Sequence, residues 1–192
     1  METEQKKGTV NTRALILCAM FSALIAVGAF IRIPVPVVEF ITLQTLFVNL
    51  AGLILGKKYG AVSVAVYIAA GLAGAPVFAA GGGPGYIVRP TFGYILGFLA
   101  GAFIAGLIRE KSKKLSFGSL LLAGLASIGA IYLFGMTYLY LIRNLYLAAP
   151  LGLGELILMS FTLVLAGDIV ICIVCALLAL RLIPAVRPSA AN

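Results

Sequence analysis

Histidine is missing from this chain, cysteine occurs three times and acidic side chains six times in 192 residues. Without histidine no Cys/His metal site can be assembled, and no HExxH pattern or nucleophile with a neighbouring base stands in its place. An enzyme is therefore not expected, and neither a metal nor any other cofactor is called for. Cys18, Cys172 and Cys175 fall within apolar stretches. The last two form a CxxC, which in mid-span surroundings reads as two small apolar residues and not as a redox pair. Charge is scarce as well. Only 10% of residues are charged and 62% are hydrophobic, against about 25% and roughly 45–50% in soluble domains. A surface facing water could not be covered, which excludes a soluble fold.

The charge that is present is basic, with a formal net of +8. Its dispersal as loop punctuation, without a compact patch of interleaved aromatics, argues against a nucleic-acid partner. The run Gly81-Gly82-Gly83-Pro84-Gly85 has no following Lys-Ser or Lys-Thr, so it is not a phosphate cradle. Glycines here suit a tight lid over a cavity. With room for one helix bundle and no nucleotide-hydrolysing domain, any energy source has to come from a partner.

Six apolar stretches fill the sequence: Arg13–Ile33, Ile41–Leu55, Gly60–Leu72, Pro90–Ile108, Phe117–Ile142 and Leu153–Leu182. The first lacks a small-residue cleavage site behind it and reads as a retained span. The second and third are short for a bilayer core of roughly 30 Å, and the sixth is long enough to require tilt. Placing the gaps alternately on two sides puts Lys6, Lys7, Arg13, Lys57, Lys58, Arg109, Lys111, Lys113, Lys114, Arg181 and Arg187 on one side, and Arg32, Arg89 and Arg143 on the other. The cytoplasmic side carries the basic excess. The expected fold is thus an all-α integral membrane protein, a six-transmembrane-helix bundle in the plasma membrane with both termini cytoplasmic. Residues 1–12 and 187–192 are read as cytoplasmic tails, and residues 13–186 as the membrane domain with an outward-facing ligand cavity. No internal repeat is visible. Gly93, Gly97 and Gly101, and Gly52, Gly56 and Gly60, recur every fourth residue and predict close helix packing.

Ionisable residues inside such a chain are the functional signal. Arg32, Glu39 and Arg143 sit at span ends, where snorkelling accounts for them, and Glu155 suits a helix start. Asp168 lies about four turns into the sixth span, too deep for its short side chain to reach water. A carboxylate there needs hydrogen-bond donors, which either a ligand cavity or a structural ion pair would supply. Arg89 stands between the glycine-rich loop and Pro90, where its donor fork suits a carboxylate or serves as an interfacial anchor.

Six segments in order carry a resemblance. They are Ile41-Thr42-Leu43-Gln44-Thr45-Leu46-Phe47, Ala51-Gly52-Leu53-Ile54-Leu55-Gly56, the turn from Gly71 to Ala79, the loop from Gly81 to Tyr86, Pro90-Thr91-Phe92-Gly93-Tyr94, and Gly167-Asp168. Together they resemble the BioY family of biotin transporters, the substrate-binding S components of energy-coupling factor (ECF) transporters. The resemblance implies high-affinity capture of biotin from outside. Release would be driven by a coupling transmembrane subunit and two cytoplasmic ATPase subunits. It further implies that Arg89 pairs with the biotin carboxylate and Asp168 accepts from the ureido N–H groups, with Tyr86, Gly74, Gln44 and Thr42 as cavity walls. Ala19 and Ala23 resemble the small-residue face on which the coupling subunit docks. One departure stands out: Ile171 occupies a position where the family often carries lysine, and Arg143 would substitute only if the fold brings it near Asp168. Two other readings stay open, an S component for another carboxylated vitamin and a membrane scaffold with no small ligand.

Overall fold

The computed structural model describes residues 12–35, 39–159 and 165–186. Helix α1 (Thr12–Phe30) leads into an antiparallel pair of short strands, β1 (Arg32–Val35) and β2 (Glu39–Thr42), in the register Arg32 opposite Thr42. Helix α2 (Gln44–Leu72), a 3₁₀ turn (Pro84–Val88), α3 (Phe92–Lys111) and α4 (Phe117–Leu141) follow. A π-helical turn (Ile142–Tyr146) continues α4, and α5 (Leu153–Met159) and α6 (Leu165–Val186) complete the order. Among the described residues, five helices are long and apolar enough to cross a membrane, namely α1, α2, α3, α4 with its π turn, and α6. Between 28% and 50% of each span is buried inside the protein. The remainder exposes side chains such as Ile16, Leu122, Leu133 and Val170, which is stable only against lipid. The chain is a multi-pass membrane protein.

The second and third apolar stretches are not separated by a loop. They are two arms of α2, joined where Gly56 takes φ 85°, ψ 177°. That backbone conformation is strained for any side chain, so glycine makes a one-residue reversal possible. The arms fold back closely enough that a Cβ on Gly60 would come within 2.8 Å of the Gly52 Cα. Gly52 and Gly60 thus serve close packing as expected, whereas Gly56 is the turn itself. At 1.5 Å per residue, residues 44–55 rise about 18 Å, short of the roughly 30 Å core.

One further expectation is corrected. Pro34, Val35 and Glu39, read as part of a connection, belong to the strand pair, with Pro34 opposite Phe40 and Val35 opposite Glu39. Of the sixth stretch, α5 (Leu153–Met159) and α6 (Leu165–Val186) are the described parts, and Asp168 lies on α6. Residues 36–38 and 160–164 lie outside the described residues, as do the expected tails 1–12 and 187–192 except for Thr12, which begins α1.

Helix α3 packs between α2 and α4. A side chain on Gly52 would strike the Ala102 carbonyl, and one on Gly106 would strike the Lys57 backbone. On the other flank, Gly93 abuts Tyr138, Gly97 the Ile131 backbone, and Gly101 Ser127 and Ile131, as the four-residue spacing predicts. Helix α1 joins α2 through the Ser22 hydroxyl, which donates to the Ser63 carbonyl at 2.6 Å. Helix α6 joins α4 where Cys172 meets Gly124, and α2 where Cys175 Sγ donates to the Leu46 carbonyl at 3.4 Å. All three cysteines are buried and free, so Cys172 and Cys175 act as packing residues.

The basic loops gather at one end. Arg13 Nη2 donates to the Val186 carbonyl at 2.8 Å, joining the start of α1 to the end of α6. Lys57, just past the Gly56 reversal, holds Glu110 with its ammonium at 3.5 Å and with its backbone N–H at 3.0 Å. The β-strands, the 3₁₀ turn and the loop after α4, which carry Arg32, Arg89 and Arg143, lie at the opposite end.

Candidate functional site

At the end remote from the basic loops, Thr42, Gln44, Tyr86 and Arg89, singled out from the sequence, are linked through Tyr67 and Phe78. Thr42 Oγ1 donates to Gln44 Oε1 at 3.1 Å, and Gln44 Nε2 donates to the Tyr67 hydroxyl at 2.5 Å. Gln44 begins the descending arm of α2 and Tyr67 lies on the ascending one, so the Gly56 reversal is what brings them together. The Tyr67 ring then meets Phe78 edge-on at 5.3 Å, and Phe78 meets Tyr86 at 4.6 Å. Tyr67, Phe78 and Tyr86 are all buried. The string ends at Arg89, whose guanidinium lies over the Tyr86 ring at 5.6 Å, in cation–π range.

Local sequence explains this shape. Gly71 closes the ascending arm because any side chain there would overlap Phe78, and its carbonyl accepts from Gly74 N and Gly83 N at 3.2 and 2.7 Å. Gly74, Gly81 and Gly83 take φ of 110°, 115° and 99°, angles that permit a compact loop to fold over Phe78. Phe78 and Gly81 exchange backbone hydrogen bonds at 2.8 and 3.1 Å. Pro84 opens the 3₁₀ turn that delivers Tyr86 inward and leaves Arg89 outward. Gly74 itself is an exposed turn residue at the rim.

Asp168, the sole aspartate of the chain, reaches the same region from α6. It is buried while Gly167, Ile169 and Val170 around it are exposed. The Tyr132 hydroxyl donates to Asp168 Oδ2 at 2.8 Å, and the Tyr132 ring stands edge-on to Tyr94 at 6.2 Å. Tyr94 in turn packs against the cluster that holds Tyr67, Phe78 and Tyr86. Arg89 and Asp168 thus each engage a tyrosine, Tyr86 within this cluster and Tyr132 beside Tyr94 at its edge. An acceptor at one end, a donor fork at the other and aromatic faces between them can hold an amphiphile with an acidic tail and N–H donors in its head.

Arg143 does not take the place of the cation lacking at Ile171. Its Nε donates to the Ala149 carbonyl at 3.3 Å within the loop after α4, and the partner of Asp168 is Tyr132. Ala19 and Ala23 are both exposed, on the face of α1 that also shows Ile16, Met20 and Val27; Cys18, Phe21, Ser22 and Ile25 turn inward.

Sequence reading missed Tyr67, Phe78, Tyr94 and Tyr132. Phe78 and Tyr94 lie in segments that carry the resemblance but were not singled out within them, and Tyr67 and Tyr132 offered only an aromatic ring with a hydroxyl in an apolar span, where most such rings serve packing. It also missed Asn49. This side chain is wholly buried, and neither of its amide atoms has a hydrogen-bond partner among the described residues.

Known proteins similar to this chain share one family. A family model described as the BioY family matches residues 2–188. A biotin transporter BioY of Thermotoga maritima is 44% identical over 171 residues, 88% of this chain and 95% of the relative. A probable biotin transporter BioY of Lysinibacillus sphaericus is 40% identical over 181 residues, 94% and 92% of the two chains. Among solved structures, the S component for biotin from an ECF-type ABC transporter, a 2.1 Å crystal structure, superposes with a TM-score of 0.74 at 27% identity, covering 95% of this chain and 94% of the other.

Proposed function

Because the chain belongs to the BioY family, we propose that it is the biotin-binding S component of an ECF-type transporter and captures biotin at the outer face of the plasma membrane. The observation that carries this reading is a pair of opposite charges each set against a tyrosine, Arg89 upon Tyr86 and Asp168 upon Tyr132. Biotin has a carboxylate at the end of an aliphatic chain and a fused ring bearing two ureido N–H groups. In this reading the guanidinium of Arg89 takes the carboxylate. The Asp168 oxygen not engaged by Tyr132 accepts from the ureido head, and Tyr67, Phe78 and Tyr86 cover the apolar middle. Gln44, positioned by Thr42, directs the Tyr67 hydroxyl; that hydroxyl accepts from Gln44 and keeps its own proton to donate. Gly74 belongs to the rim of the lid. No cofactor enters the scheme, and binding involves no covalent step by this chain.

Orientation follows from charge. The end holding Arg13, Lys57, Lys58, Arg109, Lys111, Lys113 and Lys114 faces the cytoplasm, which puts both termini there and the Arg89 end outside. Release then requires partners. A coupling transmembrane subunit docks on the exposed face of α1, where Ala19 and Ala23 permit close helix approach, and two ATPase subunits supply the energy. Tyr67, Phe78 and Tyr86 lined up behind Arg89 favour a ligand site over a scaffold with no small ligand.

Titration of the detergent-purified chain tests the assignment. Saturable binding of biotin below micromolar concentration, with thiamine, riboflavin and pantothenate failing to compete, is expected. Equal binding of pantothenate would reassign the vitamin, and no saturable binding would remove the ligand site altogether.

A further inference from the structure

A concavity lies at the basic end, far from the aromatic cluster. It encloses about 330 Å³ between the end of α3, the loop into α4 and the last turns of α6, and Arg109, Lys114, Ser112, Ser119 and Ile183 are among its walls. Glu110 also lines it, but its carboxylate already receives the Lys57 ammonium and backbone N–H. The positive charge of Arg109 and Lys114 therefore dominates the hollow. Helix α4 starts beside it, where Ser116 and Ser119 form a reciprocal cap, and the positive end of the α4 dipole adds to the field.

One wall is apolar. Leu115 and Ile183 line the hollow, and α4 and α6, which lead away from it, expose Phe117, Leu122, Leu178 and Leu182. A free anion would gain nothing from that wall, whereas a molecule with a phosphodiester and acyl chains would use both parts. We propose that this groove is a binding site for an anionic membrane phospholipid. The phosphodiester sits between Arg109 and Lys114 at the start of α4, and the acyl chains run along Leu115, Leu122 and Leu178. The proposal does not depend on the identity of the vitamin.

The test uses the full chain in detergent micelles, followed by native mass spectrometry while phosphatidylglycerol, phosphatidylcholine or inorganic phosphate is titrated in. Wild type is expected to retain phosphatidylglycerol on the order of tenfold better than phosphatidylcholine, and the pair R109Q/K114Q is expected to lose that preference. Gel filtration and a thermal melt check that the variant is folded. K111Q/K113Q, which removes two neighbouring charges outside the groove walls, serves as the charge-matched comparison and should keep the preference. Equal retention of the two lipids by wild type would overturn the site. So would an unaltered preference in R109Q/K114Q, or inorganic phosphate displacing phosphatidylglycerol at equal concentration.

Discussion

Tyr132 on α4 donates its hydroxyl to Asp168 on α6 at 2.8 Å, and this bond fixes one carboxylate oxygen while leaving the other for a ligand. A charge-assisted bond of this kind contributes about 1.5–3 kcal/mol. Tyr132→Phe is therefore expected to weaken biotin binding roughly tenfold or more while keeping the ring contact with Tyr94. Calorimetric titration of the purified variant checks this. An unchanged affinity would mean that Asp168 is held by other groups or does not touch the ligand.

Asn49 leads to the opposite expectation. Its amide is wholly buried and unbonded among the described residues, and leaving such a group unsatisfied costs about 1–3 kcal/mol. Asn49→Leu should raise the melting temperature and leave biotin affinity as in wild type. Loss of binding with an unaltered melt would instead place Asn49 among the ligand contacts.

The glycine contacts give a graded stability test. Gly106 lies against the Lys57 backbone, so Gly106→Val should force α2 and α3 apart and abolish a monodisperse purified product. Gly129 on α4 faces open space, and Gly129→Ala should be neutral or slightly stabilising, since alanine is favoured over glycine in helices by about 1 kcal/mol. Gel filtration and thermal melts of both variants decide the matter; similar behaviour would contradict the packing described for α2 and α3.

Docking separates capture from transport. Ala19→Trp combined with Ala23→Trp enlarges an exposed face of α1 that makes no core contact, so biotin binding by the isolated chain should persist. Uptake of labelled biotin by cells that also express the coupling subunit and ATPases should fall to background. Undiminished uptake would move the docking surface elsewhere.

Hydrophobic periodicity and loop charge made the bundle legible, and the limits of that signal are physical. Helices α1, α3 and α4 begin and end close to where apolar runs meet Pro34, Pro90 and the Arg109–Lys114 cluster, because prolines and charges are costly to bury. The Gly56 reversal was visible only as Lys57-Lys58, since a one-residue turn leaves no polar loop behind. For the site, Arg89 and Asp168 stood out because ionised groups are rare in such surroundings. Tyr132 and Tyr67 did not, because a tyrosine in an apolar run looks the same whether its hydroxyl holds a carboxylate or packs at an interface. Pairing Gln44 with Tyr67 required the fold, as the two residues meet only across the hairpin of α2.

The central claim is that Arg89 and Asp168 hold opposite ends of one ligand, and a titration comparing biotin with biotin amide across Arg89→Ala and Asp168→Asn tests it most directly. Biotin amide lacks the negative tail and keeps the ureido head. The account predicts that wild type binds the amide roughly 10–100-fold more weakly than biotin, that Arg89→Ala erases this difference, and that Asp168→Asn weakens both ligands while preserving it. A difference between the two ligands that survives in Arg89→Ala, or vanishes in Asp168→Asn, would contradict the assignment of the two ends.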